Sequence, residues 1–315
     1  MIIPRRGRAN ILMFKSRGVV FKEIYFLFLM MFILAPPPKA FAADGSLDAF
    51  FLSSGKEDRK NWRASVDETW MPSSAIRGDG DAAIFDTKVG LSRAYPVADG
   101  WSLTTGAAYS LKSIDAPASA RLPDKLHTLS IRIGANYKYS KDMTLGLMAA
   151  PGLHGDFKGS LSGGDIRVPL AFIMRYKYSQ QLMFIGGLGY NTAYLKTRVL
   201  PIFGVVYKPD ERWTISLGAP RTAVSYRLDT TSLYLASEFS GTEYRVGQAS
   251  VGSKTIRYRD SRAVAGVDFL IAEGLSLDIG AGYSAGRRFT FFDNERPDVV
   301  VKNTPFAKAA LSYRW

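Results

Sequence analysis

The chain has 315 residues, of which 41 are Lys or Arg and 28 are Asp or Glu, and it contains no cysteine. Without cysteine, neither a disulfide framework nor a thiolate metal site is available. The positive balance is not gathered into a basic cluster with a recognisable binding module, so nucleic acid is not expected as a partner.

Residues 1–42 read as a cleaved secretory signal. Arg5, Arg6, Arg8, Lys15, Arg17 and Lys22 give a basic start, Ile24 to Ala35 is an apolar run of 12 residues, and Ala40-Phe41-Ala42 is a small-x-small cleavage site. The run falls short of the ~20 residues that a spanning helix needs, and Pro36-Pro37-Pro38 ends it. The segment carries seven Lys/Arg and one acid; taking these from 41 and 28 leaves 34 basic and 27 acidic residues, a net charge of +7. Residues 43–59 have no clear period and read as a periplasmic arm or small plug.

From residue 60 to 315 the period changes to two, over segments long enough to cross a membrane as tilted strands. In 101–112, Trp101, Leu103, Ala107, Tyr109 and Leu111 oppose Ser102, Thr104, Ser110 and Lys112. In 127–139, Leu129, Ile131, Ile133, Ala135, Tyr137 and Tyr139 oppose Thr128, Ser130, Arg132, Gly134, Asn136 and Lys138. In 165–179, Ile166, Val168, Leu170, Phe172, Met174, Tyr176 and Tyr178 oppose Arg167, Pro169, Arg175 and Lys177. Leu275, Leu277, Ile279, Ala281 and Tyr283 repeat the pattern against Ser276, Asp278, Gly280, Gly282 and Ser284. Trp62, Trp70, Tyr95, Trp101, Trp213 and the C-terminal aromatics are expected at strand ends, as interfacial girdles.

Short and long connections alternate. Ala98-Asp99-Gly100, Lys141-Asp142, Gln180-Gln181, 209–212, 229–231 and Ala272-Glu273-Gly274 are tight polar turns, expected on the periplasmic side. The stretches 71–81, 114–125, 158–164, 195–200, 247–254 and 293–303 are expected outside. Parity fails between Trp213 and Leu228 unless Gly218-Ala219-Pro220-Arg221 makes another outer turn; with it the count is 14 strands, without it 12. The expected fold is therefore all-β, an antiparallel transmembrane β-barrel of 12–14 strands. The competing architecture, a secreted β-sandwich, fits less well, because soluble strands average roughly six residues.

The final strand closes the pattern: Ala309, Leu311, Tyr313 and Trp315 alternate with Lys308, Ala310, Ser312 and Arg314. This end resembles the closing strand of Gram-negative outer-membrane β-barrels, in which Leu311, Tyr313 and Trp315 would act as the insertion signal. The stretch from Leu200 to Tyr207 through Trp213 to Pro220 and Ala223 to Tyr226 is similar to an uncharacterised outer-membrane barrel family of unknown function. The resemblance implies residence in the outer membrane, with lipid, lipopolysaccharide, periplasmic chaperones and the barrel-assembly machinery as partners. It carries over no functional residue and no cofactor.

Chemistry is sparse. There are two histidines, no nucleotide-binding glycine motif and no cluster at metal-ligand spacing, so no metal and no cofactor is expected. One pair stands out: His154 and Asp156 share a parity at the end of a strand, and with Ser160 or Ser162 as nucleophile they outline a rim hydrolase. The ordinary reading is a polar rim pair on a loop. Parity assigns Lys112, Arg132, Lys138, Arg167, Arg175, Lys177, Lys308 and Arg314 to the lumen against Asp86, Glu238, Asp268 and Asp278. The basic excess predicts a passive channel or transporter for small solutes with a weak anion preference. The alternative is a non-conducting barrel, acting as a rim hydrolase or an envelope-structural protein.

Overall fold

A computed structural model describes residues 62–78, 80–161, 163–191, 199–218, 221–293 and 296–315. The expected signal (1–42) and arm (43–59) lie outside the described residues. One sheet holds every strand and closes on itself: β1 (Trp62–Ala75), β2 (Asp81–Ala98), β3 (Trp101–Asp115), β4 (Lys125–Lys138), β5 (Met143–Ala149), β6 (Gly152–Gly155), β7 (Ile166–Arg167), β8 (Leu170–Lys177), β9 (Leu182–Tyr190), β10 (Val199–Tyr207), β11 (Trp213–Gly218), β12 (Thr222–Leu228), β13 (Thr231–Arg245), β14 (Thr255–Ala272), β15 (Leu275–Phe291), β16 (Val299–Val300) and β17 (Thr304–Arg314). β5 with β6, β7 with β8 and β16 with β17 are single staves broken in the middle, which gives a closed barrel of 14 staves.

Closure runs from Arg63↔Arg314 to Trp70↔Ala307 between β1 and β17. Below it, Trp62 and Trp315 exchange backbone hydrogen bonds of 3.1 and 3.2 Å. Closure removes the strand edges over the height the staves share, where backbone groups find their partners inside the wall, as an apolar solvent requires; above Ser237, β13 pairs with β14 on one side and meets β6 at Arg245. The fourteenth stave is settled by Gly218. β11 pairs β12 from Trp213↔Tyr226 to Ser216↔Ala223, so the chain does reverse there. Gly218 has φ +83°, and a Cβ on it would collide with the carbonyl of Phe203; only glycine makes this turn so close to β10.

The outer face is apolar. Ile131 (58% exposed), Phe172 (46%), Leu188 (55%) and Phe203 (72%) point away from the lumen on four different staves. A soluble domain does not leave such a surface uncovered; a lipid-facing wall requires it. No helix among the described residues is long and apolar enough to cross a membrane, and the crossing elements are strands.

Several sequence expectations need correction. β1 extends through Met71 to Ala75, so the first long connection is only 76–80, and Trp70 faces outward from within the strand rather than from its end. The predicted strand across 165–179 breaks at Val168-Pro169, where the chain has no ladder position. The interior also differs from expectation. Inward residues at the long-loop end are largely apolar: Met71, Ile84, Ile114, Leu126, Ile256, Tyr258, Val264, Phe289 and Phe306 pack into one buried cluster, joined by Ala120, Leu122, Val246 and Val251 from the connections. A smaller apolar group, Met148, Ala171, Ile173, Ile185 and Ile202, lies on β5, β8, β9 and β10. Each such side chain contributes about 1.5–3 kcal/mol when buried, so this half of the lumen is a core and not a water column.

Candidate functional site: the lumen

Inward-facing residues become more exposed toward the short-turn end. Along β14, Ile256, Tyr258, Asp260, Arg262 and Val264 are buried, Gly266 is half-buried and Asp268 is exposed. Along β8, Ala171, Ile173 and Arg175 are buried and Lys177 is exposed. Along β17, Thr304 and Phe306 are buried and Arg314 is exposed. The lumen is thus a vestibule that opens at the short turns and narrows into the packed half.

Two kinds of wall line it. On the staves from β13 round to β3, charges of both signs face inward and many of them are paired. Lys112 Nζ lies 2.7 Å from Asp86 Oδ2, Arg262 lies 3.7 Å from Asp86 and 2.7 Å from Asp260, and Lys308 lies 3.7 Å from Glu238 and 3.4 Å from Asp278. Tyr234 donates its hydroxyl to Asp278 at 3.0 Å, and Arg221 holds Glu238 at 3.3 Å. Register explains the clustering: Asp86 is the cross-strand partner of Lys112, and Glu238 that of Arg262. Pairing is what makes burying Asp86 and Arg262 (2% and 6% exposed) tolerable, since a lone buried charge is costly.

On the staves from β4 to β12 the wall is different. No Asp or Glu occurs in any of these strands, and the inward positions hold Arg132, Lys138, Arg167, Arg175, Lys177 and Arg227. Arg175 donates to the Asn136 side chain at 2.8 Å. Arg167 binds the Gly164 and Ile166 carbonyls at the loop end, so it fastens a connection at the rim. Arg132, Lys138, Arg175 and Lys177 follow one another down the inner face of β4 and β8 towards the open end, so the vestibule has a positive side.

Over the packed half, the long connections are fastened to one another. Asp156 accepts backbone N–H groups from Lys158 (3.1 Å), Gly247 (2.9 Å) and Gln248 (2.9 Å). Lys158 Nζ binds Asp124 at 2.8 Å and Gln248 at 3.0 Å, and a Cβ on Gly247 would overlap the Lys158 carbonyl. Arg296 donates to the carbonyls of Ala120, Arg121 and Val251. Gly155 of β6 and Arg245 of β13 form a parallel bridge, which draws the rim inward. Beside Lys158, the carboxyl of Asp124 is held below the usual carboxylate range.

The His154/Asp156 pair is placed within this cap. His154 is buried, with Nδ1 3.3 Å from Thr128 Oγ1 and its ring 6.4 Å from that of Tyr244. Asp156 commits both oxygens to backbone donors, which makes it a clasp between connections. Ser160 is exposed and Ser162 lies outside the described residues. His127 faces outward, bonded to the Tyr109 hydroxyl at 2.8 Å and stacked on Phe157. No group of three or more metal-binding side chains occurs among the described residues.

At the other end, Leu311, Tyr313 and Trp315 point outward, 45–46% exposed. Trp315 stacks on Trp62 at 6.1 Å and on Tyr313 at 5.4 Å, so the C-terminal aromatics form one girdle with the first strand. Sequence reading missed Asp67, Lys88, Asp260, Arg262 and Arg287 among inward charges. In β14 the usual pattern is inverted: apolar Ile256, Tyr258 and Val264 point inward and Arg257 and Arg259 outward, so the apolar face does not mark the lipid side there.

Outer-membrane channels are among the solved structures of similar fold. A deltaS2S3 mutant of the monoaromatic hydrocarbon channel TodX matches with 11% identity and a TM-score of 0.50, over 82% of this chain and 91% of that one. A FadL homologue of Pseudomonas aeruginosa matches with 10% identity and a TM-score of 0.44, over 81% and 90%. The KdgM porin, in complex with disordered oligogalacturonate, matches with 8% identity and a TM-score of 0.35, over 80% and 99%. At these identities the likeness is one of fold. No curated protein matches the sequence. Residues 94–311, from within β2 almost to the end of β17, match the model of a domain of unknown function, DUF6268, and the chain belongs to that family.

Proposed function

We propose that the protein is a passive channel of the outer membrane for small solutes, with a preference for anions, exported by cleavage of the 1–42 signal and folded with periplasmic chaperones and the barrel-assembly machinery among lipid and lipopolysaccharide. The observation that carries the reading is the acid-free inner wall from β4 to β12, with Arg132, Lys138, Arg175 and Lys177 leading into the vestibule. Fixed positive charge on one low-dielectric wall raises the local anion concentration, while the paired charges opposite cancel one another. The fold shared with channels supports the architecture.

The fastened cap sets the condition for conduction: solute passes only when the connections over the packed half part. Reconstituted protein is expected to open intermittently, and Asp156→Ala, which removes three backbone clasps, to open more often. The reversal potential across a salt gradient measures selectivity. It should favour anions, fall in the Arg132→Gln/Arg175→Gln variant, and weaken as the Debye length drops from ~10 Å at 0.1 M to ~3 Å at 1 M salt. Cation preference overturns the anion reading. Silence of both wild type and Asp156→Ala would favour an envelope-structural barrel, for which the packed half of the lumen argues.

A further inference from the structure

Glu68 is out of place. Its neighbours Asp67 and Thr69 face the lumen, and its own ladder partners are the outward residues Thr87 on β2 and Ala309 on β17. It sits six residues above Trp62 in the girdle and seven below the end of β1. At ~3.3 Å per residue and a tilt near ~40°, six residues rise roughly 15 Å, well inside an apolar band ~25 Å tall. Every other charged side chain of outward parity among the described residues lies near an end of the wall: Arg93 at the level of Trp62, and Asp81, Asp115, Lys125, Glu243, Arg245, Arg257, Arg259 and Arg288 towards the long connections.

Within the wall, Glu68 receives one hydrogen bond, from Thr87 Oγ1 to Oε2 at 2.8 Å. No described residue supplies a donor to Oε1. Lipid tails offer none either, so a carboxyl group at this depth calls for a polar partner from another molecule. Beside it on β17 the outward positions Ala307 and Ala309 are small, and larger apolar side chains, Val66 and Trp70 on β1 and Ile279 on β15, flank them.

We infer that the outer face of β17, β1 and β2 docks a second copy of this chain, with Glu68 at the contact. A two-fold axis brings the same patch of both copies together. A carboxyl group then meets itself, and in its acid form it is self-complementary, one O–H donor against a free acceptor. No partner of different composition is needed.

The chain has no cysteine, so Ala309→Cys places a single thiol beside the contact. In vesicles, a short bismaleimide should link two copies of this variant, whereas Leu188→Cys, also outward but seven staves from β17 on β9, should give background only. Added to Ala309→Cys, Glu68→Leu should cut the yield about tenfold, the size expected for an intramembrane hydrogen bond of ~1–2 kcal/mol, while Glu68→Gln, which is also self-complementary, should retain it. Glu68→Leu puts an apolar residue on a lipid face and should leave the barrel's heat-modifiable mobility unchanged. Equal linkage at positions 309 and 188, or yield that is indifferent to Glu68→Leu, overturns the inference and leaves lipid or a foreign protein as the occupant.

Discussion

Phe172→Arg tests the direction in which the wall faces. Phe172 pairs across the ladder with Leu147 on one side and Leu188 on the other, and the three form an outward apolar row that is 46%, 57% and 55% exposed. It stands four residues above Tyr176, which at ~3.3 Å per residue and a tilt near ~40° is roughly 10 Å into the band. A guanidinium at that depth has no water, so the substitution should cost about 2–4 kcal/mol. That corresponds to a roughly 30- to 1000-fold change in the unfolding equilibrium. Lys177→Gln, on the opposite parity and exposed at the open end of the vestibule, should stay within about 0.5 kcal/mol. Reversible denaturation of barrels folded into vesicles measures both. If Phe172→Arg is as mild as Lys177→Gln, the residues assigned to lipid are in water and the barrel does not span. If both are severe, the lumen assignment fails.

Replacing Trp315 with Asp removes both girdle stacks and should lower the amount of heat-modifiable barrel recovered in outer membranes; wild-type recovery would count against an insertion role. Asp86→Asn strands Lys112 and leaves Arg262 with Asp260 alone, a loss of about 3–5 kcal/mol, and Lys112→Met in the same chain should recover most of it, as read from denaturation midpoints. The carboxyl of Asp124 is lowered in the folded protein by Lys158, so this link is at full strength above the unfolded value and is lost as pH falls through the folded one, below about pH 4. Amide exchange in the 156–161 connection, corrected for intrinsic rates, should therefore speed up at pH 3, and Asp124→Asn should show the faster exchange already at pH 7.

What the sequence made legible follows from the period of a strand. Two faces per segment could be read wherever the outer one was uniformly apolar, as at 127–139 and 275–284, and the parity of short and long connections already required a reversal at Gly218 to reach 14 staves. What fills the interior could not be read this way. Met71 and Phe306 are apolar and inward, and period alone cannot tell a core-facing from a lipid-facing apolar residue. β14 shows the limit most plainly, since near the rim Ile256 and Tyr258 face in and Arg257 and Arg259 face out. The charge count was similarly incomplete: parity placed Asp86 and Lys112 on one face, but their third partner, Arg262, arrives from a stave distant in the chain and is set only by closure of the barrel.

The asymmetry of the wall follows from that closure. β13, β14, β15, β1, β2, β3 and β4 run for 14–18 residues, while β8 to β12 run for six to nine. The tall side encloses enough volume to need filling, and it fills with apolar side chains and fastened connections; its buried charges must then occur in pairs. The low side packs Ile173, Ile185 and Ile202 at mid-height, with Arg175 buried on the same wall, while Lys177 and Arg227 reach water at the open end. Charge of one sign is inexpensive where it reaches water, and a run of lysines and arginines without acids in the strands is tolerated there. The positive side of the vestibule therefore runs from β4, the last of the tall staves, onto the short ones, and on the proposed channel reading an anion drawn along it meets the cap beside the β6–β13 bridge, where Asp156 holds the connections together. On the proposed channel reading, selectivity and gating rest on different residues, so substitutions at Arg175 and at Asp156 should alter one without the other.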